Sequence, residues 1–279
     1  MAKVEKKTYK YVLFVILLLV AAFVIFPIIV VAMNSFKSKL FISTEPFKLP
    51  SKTTFIGFTN YTRGLISIGF FKAFGISLWI TVASVVAILL CTSMLAWYIT
   101  RVKDKMTSFI YYGLTFSMIV PFQMVMFTMS KIANMINLDN PIGIIVLYVG
   151  FGCGMSTFMF SGFIKSIPLA LEEAAMIDGA GPVRTFFQVV MPMLKSTAIT
   201  IAILQTMWVW NDYLLPYLTL DSENRTIPVA IQYLRGGYGS VDMGAMMAML
   251  VLAMLPVIIF YLSCQKYIIK GVLAGAVKG

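Results

Sequence analysis

Residues 11–34 read YVLFVILLLVAAFVIFPIIVVAMN, 24 positions without an Asp, Glu, Lys or Arg. A helix needs roughly 20 consecutive, predominantly apolar residues to cross the hydrocarbon of a bilayer, so this stretch is long enough to span it. It is too long for the apolar region of a cleaved signal peptide, and no small-residue cleavage site follows it. It reads as a retained anchor.

Five further stretches of the same kind lie downstream, at 73–100, 106–130, 140–164, 196–220 and 243–265. The 196–220 stretch, the fifth span overall, holds Asp212, and the other four have no formal charge. Six stretches of this length predict an all-α polytopic membrane protein with six transmembrane helices in a single domain, 1–279. Composition agrees. Hydrophobic residues make up 60% and charged residues 12%, where a soluble domain carries about 25% charged residues. A soluble enzyme would have nowhere to bury so much apolar side chain, and the charge is too sparse and the chain too apolar for disorder.

Loop charges predict the orientation. Lys3, Lys6, Lys7 and Lys10 precede the first span, and Arg101, Lys103 and Lys105 crowd the loop between the second and third. The 131–139 loop on the other side holds only Lys131. Basic residues concentrate in short cytoplasmic loops, which predicts both termini in the cytoplasm of a multi-pass protein. The net charge of +11 then needs no nucleic-acid partner, because anionic headgroups of the inner leaflet attract such side chains. The chain has no His, which excludes His-based zinc sites and catalytic triads. Cys91, Cys153 and Cys264 all fall within spans and read as small apolar fillers. No catalytic, cofactor-binding or metal-binding residue is expected.

Outside the spans, 35–72 and 221–242 read as irregular or partly helical loops. The second carries Pro228 and the Gly236, Gly237, Gly239 cluster, which suggests a short helix and a turn. The 165–196 segment, KSIPLALEEAAMIDGAGPVRTFFQVVMPMLKS, is organised differently. Ser166 can cap a helix starting at Ile167 with Pro168 in its first turn. Gly179 can close that helix in a left-handed conformation. Pro182 suits the first turn of a second helix, and Pro192 ends it or bends it into the fifth span. The result is a helix–turn–helix. Ala170, Ala174 and Ala175 give the first helix a small-residue face, flanked by Glu173 and Asp178. A helix lying on lipid would show Lys or Arg on its polar face. These acids favour a protein partner instead.

Glu173-Ala174-Ala175, Asp178-Gly179-Ala180, Phe186 and Pro192 resemble the EAA loop of ATP-binding-cassette importer permeases over about 20 residues. Met191 stands where an aliphatic Leu is common. Trp210-Asn211-Asp212-Tyr213 looks like the Trp-Asn-acidic-aromatic stretch of carbohydrate permeases. The tail KGVLAGAVKG (270–279) is similar to that of the shorter permease of the maltose type. The resemblance covers essentially the whole chain. It implies a second homologous permease subunit, two cytoplasmic ATPase subunits that each grip one EAA loop, and an extracellular sugar-binding protein. It also implies inward movement of a mono- or oligosaccharide by alternating access across a bacterial cell membrane. Glu172, Glu173, Ala174, Ala175, Asp178, Gly179 and Ala180 would be the coupling contacts, and Gly271, Gly275, Lys278 and Gly279 a secondary ATPase-contacting tail. The chain has no G-x-x-x-x-G-K-[ST] stretch, so ATP and Mg²⁺ are expected on the partner subunits, not here.

An acid within a span costs roughly 2.5–3.5 kcal/mol at a helix centre, so it should face the bundle interior, water or a partner. Asp212 and Asn211 could therefore line the sugar path or make a structural bond between helices. Trp208 and Trp210 could stack on a sugar or anchor at the interface, and Tyr213 joins Asn211, Asp212 and Trp208 as a candidate residue of the translocation path. Pro121, Pro216 and Pro256 favour kinks, while Gly150, Gly152 and Gly154 permit close helix packing. The 20 Met read as lipid-facing or core filler. A secondary transporter would need more intramembrane charge than Asp212 supplies. A permease of the same superfamily for a non-sugar, such as a glycerol-phosphate ester, fits the same residues.

Overall fold

The structure is a computed structural model. It describes residues 2–234 and 240–276, with side chains described for 9–234 and 240–266. Among the described residues the regular elements are helical, and an isolated antiparallel bridge pairs Lys37 with Phe55. The helices are α1 (Ala2–Asn34), α2 (Lys39–Thr44), α3 (Thr59–Ser67), α4 (Phe70–Arg101), α5 (Lys105–Ser117), α6 (Phe122–Met135) and α7 (Gly143–Ile164). There follow α8 (Leu169–Ile177), α9 (Pro182–Thr185), a π-helical turn (Phe186–Val190), α10 (Met191–Met193) and α11 (Lys195–Asn211). The last three are α12 (Leu214–Thr219), α13 (Ile227–Gln232) and α14 (Met243–Ala276).

Four of these are long and apolar enough to cross a membrane: Tyr9–Asn34, Phe70–Arg101, Gly143–Ile164 and Met243–Lys266. Two bent pairs raise the number to six when each pair counts as one span. The third expected span, 106–130, is not one helix. Its halves, α5 and α6, meet at 110°. Pro121 has no N–H to continue the α5 ladder, and with φ −63° and ψ 136° it restarts the chain as the N-terminal boundary of α6. The fifth, 196–220, is also interrupted. Helix α11 ends at Asn211, Asp212 is extended (φ −71°, ψ 126°), and a second short helix, α12, carries Pro216. Pro256 by contrast lies inside the continuous α14.

The chain forms two compact units. One comprises Met1–Phe71 with Ala230–Pro256, and the other Lys72–Val229 with Val257–Gly279. In the first unit, none of the most apolar stretch of α1 is buried inside the protein. A helix this apolar needs lipid or another chain around it. The expected loop 35–72 is organised by buried polar groups. Asn60 donates 2.8 Å bonds to the carbonyls of Ser35 and Lys37, and Asn34 donates 2.8 Å bonds to those of Val30 and Pro46. The Phe36 ring gathers Phe55, Phe58 and Tyr61 within 6.0 Å. Arg63 pairs with Asp242 at 3.1 Å, and Asp242 also accepts from the Ala245 N–H at the start of α14. Of the 221–242 segment, α13 supplies the expected short helix, and the Gly236, Gly237, Gly239 turn lies outside the described residues.

The second unit has two apolar centres. Ile80, Ile144, Tyr148, Val209 and Leu215 form one. Ala96, Phe160, Ile164, Ile167, Phe186, Val190, Leu194 and Ile201 form the other, which joins α4, α7, the π-turn and α11. Between them run buried hydroxyls and one amide. Gln205 of α11, 2% exposed, donates to Ser156 Oγ at 3.0 Å, binding α11 to α7. Gly152 and Gly154 serve close packing, as expected. A Cβ on Gly152 would lie 2.8 Å from Ile88 Cδ1, and one on Gly154 would lie 2.6 Å from the Leu114 carbonyl oxygen. Gly150 has open space at that position. Cys91 is exposed, Cys153 and Cys264 are half-buried, and all three are free thiols.

Candidate functional site

The segment between α7 and α11 is a bent arm built from local rules. Ser166 does not cap α8. Its hydroxyl turns back to the Phe163 carbonyl at 2.6 Å. Pro168, in extended conformation, takes the N-cap position instead, and the helix begins one residue later. At the other end Gly179 has φ +84°. The Gly179 N–H donates to the Met176 carbonyl at 3.0 Å, and the Ala180 N–H to the Ala175 carbonyl at 2.9 Å. This pair of bonds is a Schellman termination, and the left-handed residue inside it carries no Cβ penalty because it is Gly. Gly181 then caps α9 with Pro182 in its first turn. The helical path continues through the π-turn and past Pro192 before bending by 77° into α11. Pro192 thus lies within the arm, and the bend falls at Leu194.

Helix α8 has two unlike faces. Ala170, Glu173, Ala174 and Ile177, spaced i, i+3, i+4, i+7, are exposed, Ile177 to 85%. Asp178 and Gly179 are exposed beside them, and Ala175 and Ala180 are half-buried. Glu172 points the other way and is 2% exposed. Arg101, the last residue of α4, donates from Nε (2.9 Å) and Nη2 (2.6 Å) to its Oε1. The indole N–H of Trp97 donates to its Oε2 at 2.9 Å. Arg101 Nη2 also reaches the Ile167 carbonyl at 3.0 Å. Every polar atom of the buried carboxylate is therefore paired. Of the seven residues read as one coupling cluster, the structure brings together Glu173, Ala174, Asp178 and Gly179 on the open side and sets Glu172 apart.

The second cluster is at the break between α11 and α12. Asp212 Oδ2 accepts from the Tyr148 hydroxyl at 3.0 Å, and Oδ1 accepts from the Leu214 N–H, also at 3.0 Å. Asn211 donates back to the Met207 carbonyl at 2.7 Å and is exposed. Trp208 lies edge-on to Tyr148 at 5.3 Å and is 40% exposed, while Trp210 is buried against Phe74. Tyr213 is 36% exposed and stacks on Tyr217 at 5.2 Å. Asp212 here makes a bond between helices. In the tail, Gly271 and Gly275 lie on α14, and Lys278 and Gly279 lie outside the described residues.

Arg101, Trp97 and Gln205 were not singled out in the sequence. By sequence Arg101 reads as loop charge, although a basic residue ending one span and an acid in the arm on the same side is a detectable pairing signal. Gln205 gave a weaker one, as the amide within an otherwise apolar run.

Residues 88–273, two thirds of the chain, match the family described as "Binding-protein-dependent transport system inner membrane component". The chain belongs to this family. The matched range includes the α8 arm, α11, α12 and most of α14. Among its relatives, the chain is 36% identical to the "Probable starch degradation products transport system permease protein AmyC" of Thermoanaerobacterium thermosulfurigenes, covering 96% of this chain and 97% of that one. It is 35% identical to the "Multiple sugar-binding transport system permease protein MsmG" of Streptococcus mutans over the full length of both. Among solved structures it is similar to a chain of a bacterial ABC transporter involved in import of the acidic polysaccharide alginate. The TM-score is 0.79 and the identity 25%, over 94% of this chain and 97% of that one. The protein is therefore a multi-pass membrane component of a binding-protein-dependent transport system, and the all-α membrane fold read from the sequence holds.

Proposed function

We propose that this permease is one of two membrane subunits of an ATP-driven importer that moves a mono- or oligosaccharide into a bacterial cell. The observation that carries the reading is the α8 arm. It presents an open Ala170–Glu173–Ala174–Ile177 face at the end of a compact, terminated helix. A rigid, acid-flanked knob of that kind suits the groove of an ATPase subunit better than a lipid surface. Glu173, Ala174, Ala175, Asp178, Gly179 and Ala180 supply the docking surface, and the 271–279 tail supplies a second contact. ATP and Mg²⁺ bind on the two ATPase subunits, and an extracellular sugar-binding protein delivers the substrate. Both termini lie in the cytoplasm, where the basic loops belong. Relatives named for starch products and for multiple sugars support the carbohydrate class.

Within the membrane, the chain's own polar side chains other than Asp212 are uncharged and mostly tie its helices together. Gln205, Ser156, Thr157, Ser84 and Ser161 are buried between the helices. Asp212 accepts from two donors of its own chain, the Tyr148 hydroxyl and the Leu214 N–H. The test is to co-express the chain with a second permease, the ATPase and the binding protein. The purified assembly is then screened for sugars that raise ATP hydrolysis. Stimulation by one sugar class is expected. Stimulation only by a glycerol-phosphate ester, or ATP hydrolysis blind to every solute, would contradict the reading.

A further inference from the structure

Glu172 and Glu173 are neighbours in sequence and face opposite ways. The docking reading needs only Glu173. Glu172 is the most buried acid on the arm, and its three donors come from α4, 71 to 75 residues earlier in the chain. Arg101 also holds the Ile167 carbonyl, just before α8 begins. The Trp97 ring lies 5.5 Å from Phe186 in the π-turn. One indole therefore touches both limbs of the arm, α8 through Glu172 and the second limb through Phe186.

This geometry has a mechanical consequence. Two covalent paths lead from α8 toward the membrane, one through the short 165–168 turn into α7 and one through the 77° bend at Leu194 into α11. Neither path runs through α4, which meets α8 only through side chains. Withdrawing α8 from α4 would strip the buried Glu172 carboxylate of its three donors and the half-buried Arg101 of its ion pair, an unfavourable change. We propose that Glu172 is a positioning residue that fastens α8 to the end of α4, so that both helices move as one lever. A displacement of the arm then enters the bundle through α4 as well as through α7 and α11. The inference rests on the docking role of the opposite face, and adds where the force goes.

The test uses the complete assembly in lipid nanodiscs, with Cys91, Cys153 and Cys264 replaced by Ser. Spin labels are placed at Tyr98 on α4 and Leu171 on α8, both exposed. The distance between them is measured without nucleotide and with ATP–Mg²⁺ and vanadate. The same distance in both states is expected for the unaltered chain. In Glu172→Gln and Arg101→Met the distribution should split or shift on adding nucleotide, with the ATPase still bound, and the double variant should behave no worse than either single one. If these variants fail to assemble, Trp97→Phe removes a single donor and should give a smaller split. A distance that shifts in the unaltered chain, or that stays single in all assembled variants, would overturn the proposal. Loss of the ATPase from an intact Glu172→Gln permease pair would overturn it too, by making Glu172 a docking contact. The docking reading fails separately, if Glu173→Lys leaves ATPase binding and transport unchanged.

Discussion

The Tyr148 hydroxyl donates a 3.0 Å hydrogen bond to Asp212 Oδ2 across two helices, at the point where the fifth apolar stretch stops being helical. Asp212 uses its other oxygen to accept from the Leu214 N–H and so starts α12. The acid that composition marks as costly in a membrane span is the residue that organises the break. Asp212→Ala should lower stability by about 2–3 kcal/mol, since it loses a charge-assisted bond and a turn bond, and Tyr148→Phe by about 1 kcal/mol. The double variant should cost less than the sum. Thermal unfolding of the detergent-solubilised assembly measures all three. Full additivity would mean that the two side chains do not act as a pair.

Gly179 sits at φ +84° with nothing within 4 Å of a Cβ built on it. Substitution there meets conformational strain and no steric clash. Gly179→Ala should cost about 1–2 kcal/mol locally, and Gly179→Asn less, because Asn tolerates the left-handed region. The readout is the affinity of the ATPase subunit for the assembled permease. It should fall for Ala more than for Asn.

Three glycines in α7 should rank in a definite order. Gly150→Ala has open space and removes helical Gly, so it should stabilise by up to about 1 kcal/mol. Gly152→Ala meets the tip of the buried Ile88 and Gln205 Oε1, side-chain atoms that must shift, and should cost about 1 kcal/mol, between the other two. Gly154→Ala meets the α5 backbone at Leu114 and should cost about 1–3 kcal/mol. Melting temperatures of the three variants test the ranking.

Lys37 is 1% exposed and donates to the Glu45 carbonyl at 2.8 Å. Burial holds its pKa below the usual 10.5, with the Glu45 charge pulling the other way. The unfolded chain therefore binds the proton more tightly than the folded one between these two values. Stability from this group is lowest below the folded pKa, rises with pH through that window, and levels off above 10.5. Lys37→Met should flatten the rise. Unfolding curves across the alkaline range, with and without the substitution, measure it.

Much of the fold was legible because span length is a property of local composition. The 11–34 stretch needed no partner to be read. Bend angles were less so. Pro121 announced a kink, but the 110° between α5 and α6 depends on what packs around each half. Asp212 announced a polar site, yet its break in the helix needed Tyr148, 64 residues earlier. In the arm, Gly179 and Pro182 acted as their local chemistry dictates, and Ser166 did not, because Pro168 excludes a helical residue before it. A pairing of Arg101 with an acid of the arm is detectable, but the choice of Glu172 over Glu173 is not, since adjacent acids have the same composition and differ only in what α4 brings to one of them.

The docking role of the arm is tested most directly by cross-linking. A cysteine at Ala174, on the open face of α8, is introduced into the Cys91, Cys153, Cys264-free chain within the complete assembly. A short bifunctional maleimide should join it to an ATPase subunit carrying surface cysteines in its groove, with a yield that changes on adding ATP. A cysteine at position 174 that joins no partner and reacts only with lipid-phase reagents would place the arm flat on the bilayer and contradict the reading.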